Sequence, residues 1–242
     1  MPSELSIENQ LISILGEEEN QWRYRPDIKT EDDLWVSFRN HLNRLNAAIL
    51  EDQALTDDEF NRVKVELARL TSSPFLASQW LRGENGVAQI LMERDLGDTI
   101  SLEVLRNKDI AGGTSAYEVV NQIVPNTERS TRGDVTLLIN GLPIIHIELK
   151  KESAKDGYMQ AFHQIQRYAE DGFFKGIYAT TQLLLCRTKS IPVILRDQVW
   201  TMQLLSNVWK SFCLIGEQRI MSLYQTFLIL RGQFCVFQMP TN

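Results

Sequence analysis

The stretch from residue 133 to residue 151, GDVTLLINGLPIIHIELKK, decides the fold of this chain. Two apolar runs flank Asn140-Gly141, a dipeptide typical of a two-residue turn between antiparallel strands. Asp134 precedes the first run, and the second run ends in Glu148-Leu149-Lys150. The sequence therefore predicts a β-hairpin with an acid at the start of its first strand and a Glu-x-Lys triplet at the end of its second.

The Glu-x-Lys triplet has two explanations. Because side chains alternate along a strand, Glu148 and Lys150 share a face with His146, and Leu149 points the other way. Carboxylates that hold Mg²⁺ can activate a water and stabilise the charge that develops during phosphodiester hydrolysis, and a nearby lysine can assist. The same pattern is common on ordinary strands that face solvent. By itself it does not decide between a metal-dependent nuclease site and a solvated strand face.

The register of the hairpin provides a test. An unbroken hairpin with a two-residue turn pairs Asp134 with Ile147, which turns Asp134 away from Glu148. An odd-length loop, or a bulge at Gly141, places Asp134 opposite Glu148 instead. We predict the bulged or odd-length form.

Composition limits the class of protein. The 242 residues are 43% hydrophobic and 23% charged, which suits a soluble globular chain of one domain or two small ones. No apolar run is long enough to span a bilayer, and the acidic, polar N-terminus does not resemble a signal peptide, so a cytoplasmic location and no membrane partner are expected. The net charge of −6 argues against a DNA binder that depends on phosphate contacts alone. A nuclease with this charge needs metal ions, a local basic strip or partner subunits to hold DNA.

Residues 1–85 are predicted to form a helical segment that packs on the rest of the chain. The third of its helices is expected to end at Ser72-Ser73-Pro74. Glu8, on the first helix, is interpreted as facing solvent, with orientation toward the site as the less common alternative. The predicted helices cover residues 3–16, 30–50 and 56–70, and each begins at a serine or threonine that can cap it.

Residues 86–185 are predicted to form the core of an α+β domain. Strand-like alternation covers 86–96, 99–105 and 117–126, and the hairpin of residues 133–151 follows. A helix over 157–170 and a final apolar strand over 175–185 complete this core. The sequence contains no G-x-x-x-x-G-K-[ST] motif, so it carries no P-loop for ATP.

The segment Trp22-Arg23-Tyr24-Arg25-Pro26 carries aromatic and basic side chains in a predicted loop. It could contact a DNA backbone. The simpler interpretation is an aromatic side chain packed beneath a loop.

The hairpin stretch, together with AFHQIQRY at residues 161–168, resembles the N-terminal nuclease domain of the restriction subunit (HsdR) of type I restriction-modification enzymes. The resemblance covers roughly residues 3–182. It implies a PD-(D/E)xK nuclease fold, in which a mixed sheet is flanked by helices, and a Q-x-x-x-Y signature on the helix after the hairpin. Gly133 stands where the motif often has proline, a departure expected not to affect the chemistry.

The resemblance also implies the roles of individual residues. Gln164 and Tyr168, four apart on one helical face, would support activity or contact DNA. The implied cofactor is Mg²⁺. The implied catalytic residues are Asp134, Glu148 and Lys150, and the implied metal site is Asp134, Glu148 and Leu149.

Beyond Gln182 the resemblance stops. Residues 1–182 carry 19 basic and 29 acidic side chains, whereas residues 183–242 carry 6 and 2. Read one base earlier, the codons of this last stretch can spell strings that resemble the family's continuation. We therefore predict a frameshift near Leu183 or Leu184 and an out-of-frame tail, residues 186–242, that forms no native domain.

Three functions remain open at this point. The first is a Mg²⁺-dependent endonuclease domain of a type I restriction subunit without its ATP-dependent motor, acting on double-stranded DNA with methylation and specificity subunits. ATP is used by the intact family, but its site is absent from this sequence. The second is a truncated, inactive remnant that at most binds partner subunits. The third is a stand-alone nuclease of the same fold.

Overall fold

The computed structural model describes residues 3–17, 22–106, 114–127, 132–151, 157–187 and 192–196. Within these ranges no helix is both long enough and apolar enough to cross a membrane. Residues 188–191 and 197–242 of the predicted tail lie outside them.

The three predicted N-terminal helices are present: α1 (Glu4–Leu15), α2 (Glu31–Leu45) and α3 (Asp57–Leu70). Ser3 caps α1 through the amide of Ser6, and Thr30 and Thr56 each form a complete capping box. These caps satisfy amides that the first turn of a helix leaves without partners.

A fourth helix, α4 (Pro74–Arg82), was not predicted. Ser73 caps it by accepting a hydrogen bond from the amide of Leu76, and Pro74 occupies the first turn. The motif that was interpreted as ending α3 therefore also begins α4. Proline lacks an amide hydrogen that the first turn would leave unpaired in any case, so it suits a helix start as well as a stop.

The fold is α+β, with a mixed six-stranded sheet flanked by helices, as predicted. The strands are β1 (Arg23–Tyr24), β2 (Val87–Glu93), β3 (Thr99–Arg106), β4 (Tyr117–Asn121), β5 (Val135–Ile139), β6 (Leu142–Leu149), β7 (Leu183–Arg187) and β8 (Pro192–Arg196), and the helix after β6 is α5 (Gly157–Glu170). The spatial order of the six-stranded sheet is β1-β4-β5-β6-β7-β8, in which β1 runs parallel to β4, β7 runs parallel to β6, and the other neighbours are antiparallel. A separate antiparallel pair, β2 and β3, packs against α3, α4 and α2.

The central hairpin, β5–β6, is buried on both faces. Its turn is the expected two-residue form, with positive φ at Asn140 (50°) and Gly141 (80°). A Cβ on Gly141 would lie 2.8 Å from the Cα of Phe38, so α2 packs directly on the turn. One hydrophobic core joins the N-terminal helices to the sheet.

The predicted bulge is present, but it lies at Ile144 in β6 rather than at Gly141. Ile139 pairs with Leu142 beside the turn, and the register then shifts by one residue, so that Val135 pairs with Ile147. Continuing this register places Asp134 opposite Glu148. The bulge therefore aligns the two carboxylates even though the turn itself has only two residues.

The predicted strand over residues 175–185 was wrong in its first half. A short 3₁₀ helix (Gly176–Thr180) replaces it, and only β7 is extended. Thr180 explains the difference, because its hydroxyl donates to the carbonyl oxygens of Pro143 (2.7 Å) and Ile177 (2.8 Å) and holds the turn against β6. The proposed out-of-frame tail stays a prediction, since only residues 186–187 and 192–196 of it are described, as parts of β7 and β8.

Candidate active site

Asp134 and Glu148 meet at one end of the β5–β6 hairpin. The amide of Leu149 donates a hydrogen bond of 2.7 Å to Oδ2 of Asp134. Glu148 is 0% exposed. Nζ of Lys150 lies 3.9 Å from Oε2 of Glu148, which makes this pair a salt bridge. The fold thus brings together the three residues of the sequence motif.

The surroundings of Asp134 disfavour its charged form. Burial, and then the charge of Glu148, raise the pKa of Asp134 to about 7, while the Leu149 amide and Lys150 oppose the rise. A carboxylate in this position is therefore poised to bind a cation or a proton near neutral pH.

One oxygen of Glu148 is without a hydrogen-bond partner. Among the described residues no donor reaches Oε2, although the atom is buried. Such an atom is costly unless a ligand or ion satisfies it. A bound Mg²⁺ fits this requirement, because Mg²⁺ prefers carboxylate oxygens.

No group of three or more His, Cys, Asp and Glu side chains that could hold a metal ion occurs in the part of the chain that the structure describes. This finding does not conflict with a Mg²⁺ site. Mg²⁺ commonly takes one or two carboxylates and keeps several waters, so Asp134 and Glu148 supply a sufficient number of side chains. Leu149 could contribute only its main-chain carbonyl.

His146 holds the other oxygen of Glu148. Its Nε2 lies 2.9 Å from Oε1 of Glu148, and its Nδ1 lies 3.0 Å from the hydroxyl of Thr136. The ring is 0% exposed and contacts Phe173, with 5.2 Å between ring centroids. Strand alternation had placed His146 on the face of Glu148. Its role as the group that orients this carboxylate was not predicted.

Gln164 and Tyr168 of α5 reach the same site. Nζ of Lys150 donates to Oε1 of Gln164 at 2.5 Å, and the amide of Gln164 donates to the hydroxyl of Tyr168. Tyr168 in turn donates to the carbonyl of Arg132 at 3.0 Å, next to the start of β5. Burial raises the pKa of Tyr168 well above its usual value, so the hydroxyl keeps its proton. This relay anchors the lysine from the helix.

Glu8 was wrongly interpreted as facing solvent. It is buried and accepts hydrogen bonds from the side-chain amides of Asn121 and Gln122, the latter at 3.1 Å. The main-chain amide of Gln122 donates to the carbonyl of Asp134 at 2.8 Å. Glu8 therefore supports the loop that carries Asp134. The signal for this in the sequence was spacing, because Glu8 lies on the same face of α1 as Leu11, Ile12 and Leu15.

The comparisons with known proteins agree with the predicted resemblance. A family model described as the type I restriction enzyme R protein N terminus matches residues 1–190. The chain belongs to this family. The predicted span of 3–182 lies inside the match.

Relatives of this R protein N-terminal domain are endonuclease subunits of type I restriction enzymes. One from Staphylococcus aureus (strain COL) is 30% identical over 183 residues, which cover 76% of this chain and 18% of the relative. The EcoprrI endonuclease subunit of Escherichia coli is 26% identical over 184 residues, which cover 69% of this chain and 58% of the relative. The chain thus spans about a fifth of the length of the staphylococcal relatives.

Gly133 is tightly packed in the site of this R protein domain, whereas its predicted lack of effect on the chemistry stays a prediction. A Cβ at this position would lie 2.5 Å from Cε1 of His146 and 2.9 Å from Cζ of Phe173. Both neighbours are buried rings, which cannot move aside freely. Glycine leaves room for the histidine that orients Glu148, so proline here would require a different packing.

Gly133→Ala should therefore lower the free energy of unfolding by about 1–3 kcal/mol, because the added methyl overpacks the rings. Urea denaturation of the purified chain measures this. Gly16→Ala is the matched control, since the φ of −82° at Gly16 suits any residue and the nearest atom to a Cβ there lies at an ordinary contact distance of 3.4 Å. If His146→Ala does not reduce the cost of Gly133→Ala in a double-mutant cycle, the proposed clash with this ring is wrong.

Proposed function

We propose that this chain is the DNA-cleaving part of a type I restriction enzyme R subunit and hydrolyses phosphodiester bonds of double-stranded DNA. The observation that carries the proposal is the pair of half-buried Asp134 and buried Glu148, with Lys150 beside it and one oxygen of Glu148 without a described partner. Membership of the R protein family and the names of the relatives support it.

Mg²⁺ is the proposed cofactor. The side chains of Asp134 and Glu148 and the main-chain carbonyl of Leu149 would hold it. When bound, Mg²⁺ would lower the pKa of a water molecule that it binds and would polarise a phosphoryl oxygen. The unsatisfied oxygen of Glu148 and the raised pKa of Asp134 both fit a cation at this position.

The remaining steps fall to the protein. Lys150 places a positive charge beside the carboxylates, where it can stabilise negative charge that develops on the phosphate. Gln164 and Tyr168 fix the lysine through the relay from α5. His146 fixes Glu148 from behind, which keeps the carboxylate in one orientation during the reaction.

Partners follow from the family. Methylation and specificity subunits would select the DNA site, and ATP-driven translocation by a motor would precede cleavage in the intact enzyme. The net charge of −6 disfavours binding of DNA by this chain through phosphate contacts alone. A partner subunit that holds the DNA would remove this difficulty.

The test is nicking of supercoiled plasmid by the purified chain, with Mg²⁺ and with EDTA. Glu148→Ala is the comparison variant. Nicking that needs Mg²⁺ and is lost in Glu148→Ala supports the proposal. Identical traces for the two proteins, with an intact fold by circular dichroism, would favour an inactive remnant. Glu103→Ala, on β3 away from the site, controls for loss of a carboxylate.

A further inference from the structure

A basic cleft of about 600 Å³ lies between α2 and the start of β4, away from the carboxylates of the active site. The segment from Trp22 to Arg25 contributes two arginines to one wall. Trp22 itself is buried and packs edge-on against Tyr117, with 5.3 Å between ring centroids. Its neighbours Arg23 and Arg25 line the cleft, together with Arg44 of α2.

The charges in the cleft do not cancel. Glu118, the acid at its base, is buried and already bonded to Arg25 (2.5 Å) and to Nε2 of His41 (2.9 Å). Arg44 donates to the carbonyl of Thr114 (3.2 Å) and lies 3.4 Å from Nδ1 of His41. Neither Arg23 nor Arg44 forms a salt bridge with a carboxylate of the described residues. Arg25 is shared between Glu118 and Asp27 (2.6 Å), so the three guanidinium groups at the cleft face two carboxylates, and one positive charge is left over in a chain whose net charge is −6.

Two hydroxyls of the cleft are also without partners. Ser37 of α2 is 4% exposed, and no described residue forms a hydrogen bond with its Oγ. The same is true of the buried hydroxyl of Tyr117. Burial raises the pKa of Tyr117 to about 12, so its hydroxyl remains a donor at neutral pH. A buried hydroxyl that makes no hydrogen bond costs the folded protein about 1–3 kcal/mol, which is a reason to expect a ligand.

We propose that this cleft binds a phosphate group, with Arg23 and Arg44 supplying charge and Ser37 and Tyr117 supplying hydroxyl donors. Guanidinium groups and hydroxyls are the side chains best suited to the oxygens of a phosphate. Glu118 does not repel the ligand strongly, because it is buried and its two oxygens are already bonded to Arg25 and to Nε2 of His41.

The source of the phosphate follows from the position of the cleft, and this step rests on the proposed nuclease function. Strand β4 connects the cleft to the active site. Tyr117, at the start of β4, lines the cleft, and Gln122, directly after its end, donates its main-chain amide to the carbonyl of Asp134. The length of β4 therefore sets the separation between the cleft and Asp134. At about 3.3 Å per residue this separation is roughly 15 Å. DNA carries one phosphate per about 3.4 Å of axis on each strand, so the cleft would hold the backbone some four or five nucleotides from the cleaved bond.

The experiment measures binding in EDTA, where no cleavage occurs, of inorganic phosphate and of a short DNA duplex by isothermal titration calorimetry. Arg44→Gln should weaken binding of both ligands by about tenfold. Ser37→Ala should weaken phosphate binding without lowering the Tm, because its hydroxyl has no described partner in the free protein. Arg69→Gln, an exposed residue of α3 outside the cleft, removes the same charge and should bind both ligands like the wild type.

The results of these titrations answer two separate questions: whether the cleft binds phosphate, and whether that phosphate belongs to DNA. Loss of phosphate and duplex binding in Arg44→Gln supports the site and the backbone as its source. Loss of phosphate binding alone supports the site and assigns it to a small phosphate ligand. The proposal is overturned if the wild type binds no phosphate, if Arg44→Gln and Arg69→Gln bind it equally, or if Ser37→Ala loses stability without losing affinity. Because these titrations need no Mg²⁺, failure of the nuclease proposal would show in the plasmid assay instead.

Discussion

Asp134→Asn should lower Mg²⁺-dependent plasmid nicking by about 10³-fold or more and at the same time make the metal-free protein more stable at pH 8. The substitution removes a carboxylate from the proposed metal site, so cleavage is lost. It also removes a charge that burial and Glu148 disfavour, and an asparagine oxygen can still accept the hydrogen bond from Leu149.

The gain in stability depends on pH in a defined direction. The pKa of Asp134 is raised from 3.8 to about 7 in the folded protein, so the folded state holds a proton that the unfolded state has released between these values. The wild type therefore loses stability as pH rises from about 4 to about 7, by at most about 1.4 kcal/mol per pH unit. The asparagine variant lacks this loss, so the two proteins should be similar near pH 4 and differ by at most about 4 kcal/mol at pH 8, and by less to the extent that solvent screens the half-buried Asp134.

Urea denaturation in EDTA at pH 5, 6, 7 and 8 measures the difference. Asp98→Asn, the same change at an exposed turn between β2 and β3, should leave both stability and nicking nearly unchanged. A variant that is less stable than the wild type at pH 8 would contradict the proposed repulsion. Added Mg²⁺ should stabilise the wild type and not Asp134→Asn, which links the effect to the metal site.

His146→Ala should lower the free energy of unfolding by about 3 kcal/mol or more. The ring is fully buried, so its removal leaves a cavity among Phe173, Phe174 and Tyr168. It also leaves Oε1 of Glu148 without its partner, and an unpaired buried carboxylate carries a large desolvation cost. Thermal or urea denaturation measures the loss.

His163→Ala provides the matched control, because His163 is exposed on α5 and should change stability by less than about 0.5 kcal/mol. His146→Gln keeps a hydrogen-bonding side chain and should recover part of the stability and of any nicking activity. If His146→Ala unfolds no more easily than His163→Ala, the histidine does not hold Glu148 as described.

The elements that sequence patterns predicted well are those with local causes. The caps at Thr30 and Thr56 depend on residues three positions apart, so the helices that begin there could be recognised directly. The Asn140-Gly141 turn is equally local, because both residues accept positive φ. The two carboxylates, the lysine and the Gln164–Tyr168 pair were identified by resemblance, and the fold brings all five into one site.

Other features depend on contacts between distant segments. Glu8 looks like a solvated helix residue until Asn121 and Gln122, more than a hundred positions later, enclose it. The helix α4 and the 3₁₀ helix over Gly176–Thr180 were missed because Pro74 and Thr180 are compatible with more than one local structure. The bulge at Ile144 could be expected from the need to align two carboxylates, but its position follows from packing along β6.

The sequence by itself determined the fold class, the family and the set of candidate site residues. A hairpin turn, a helix cap and a spaced motif each depend on residues that lie close together in the chain, so they can be recognised without the tertiary structure. Only the tertiary structure decided how those residues work together. Folding buries His146 behind Glu148 and leaves room only for glycine at position 133. It also raises the pKa of Asp134, because the burial of this side chain and the nearby charge of Glu148 exist only once the strands are paired. It also assembled the basic cleft from β1, α2 and β4, whose side chains meet across nearly a hundred residues of chain.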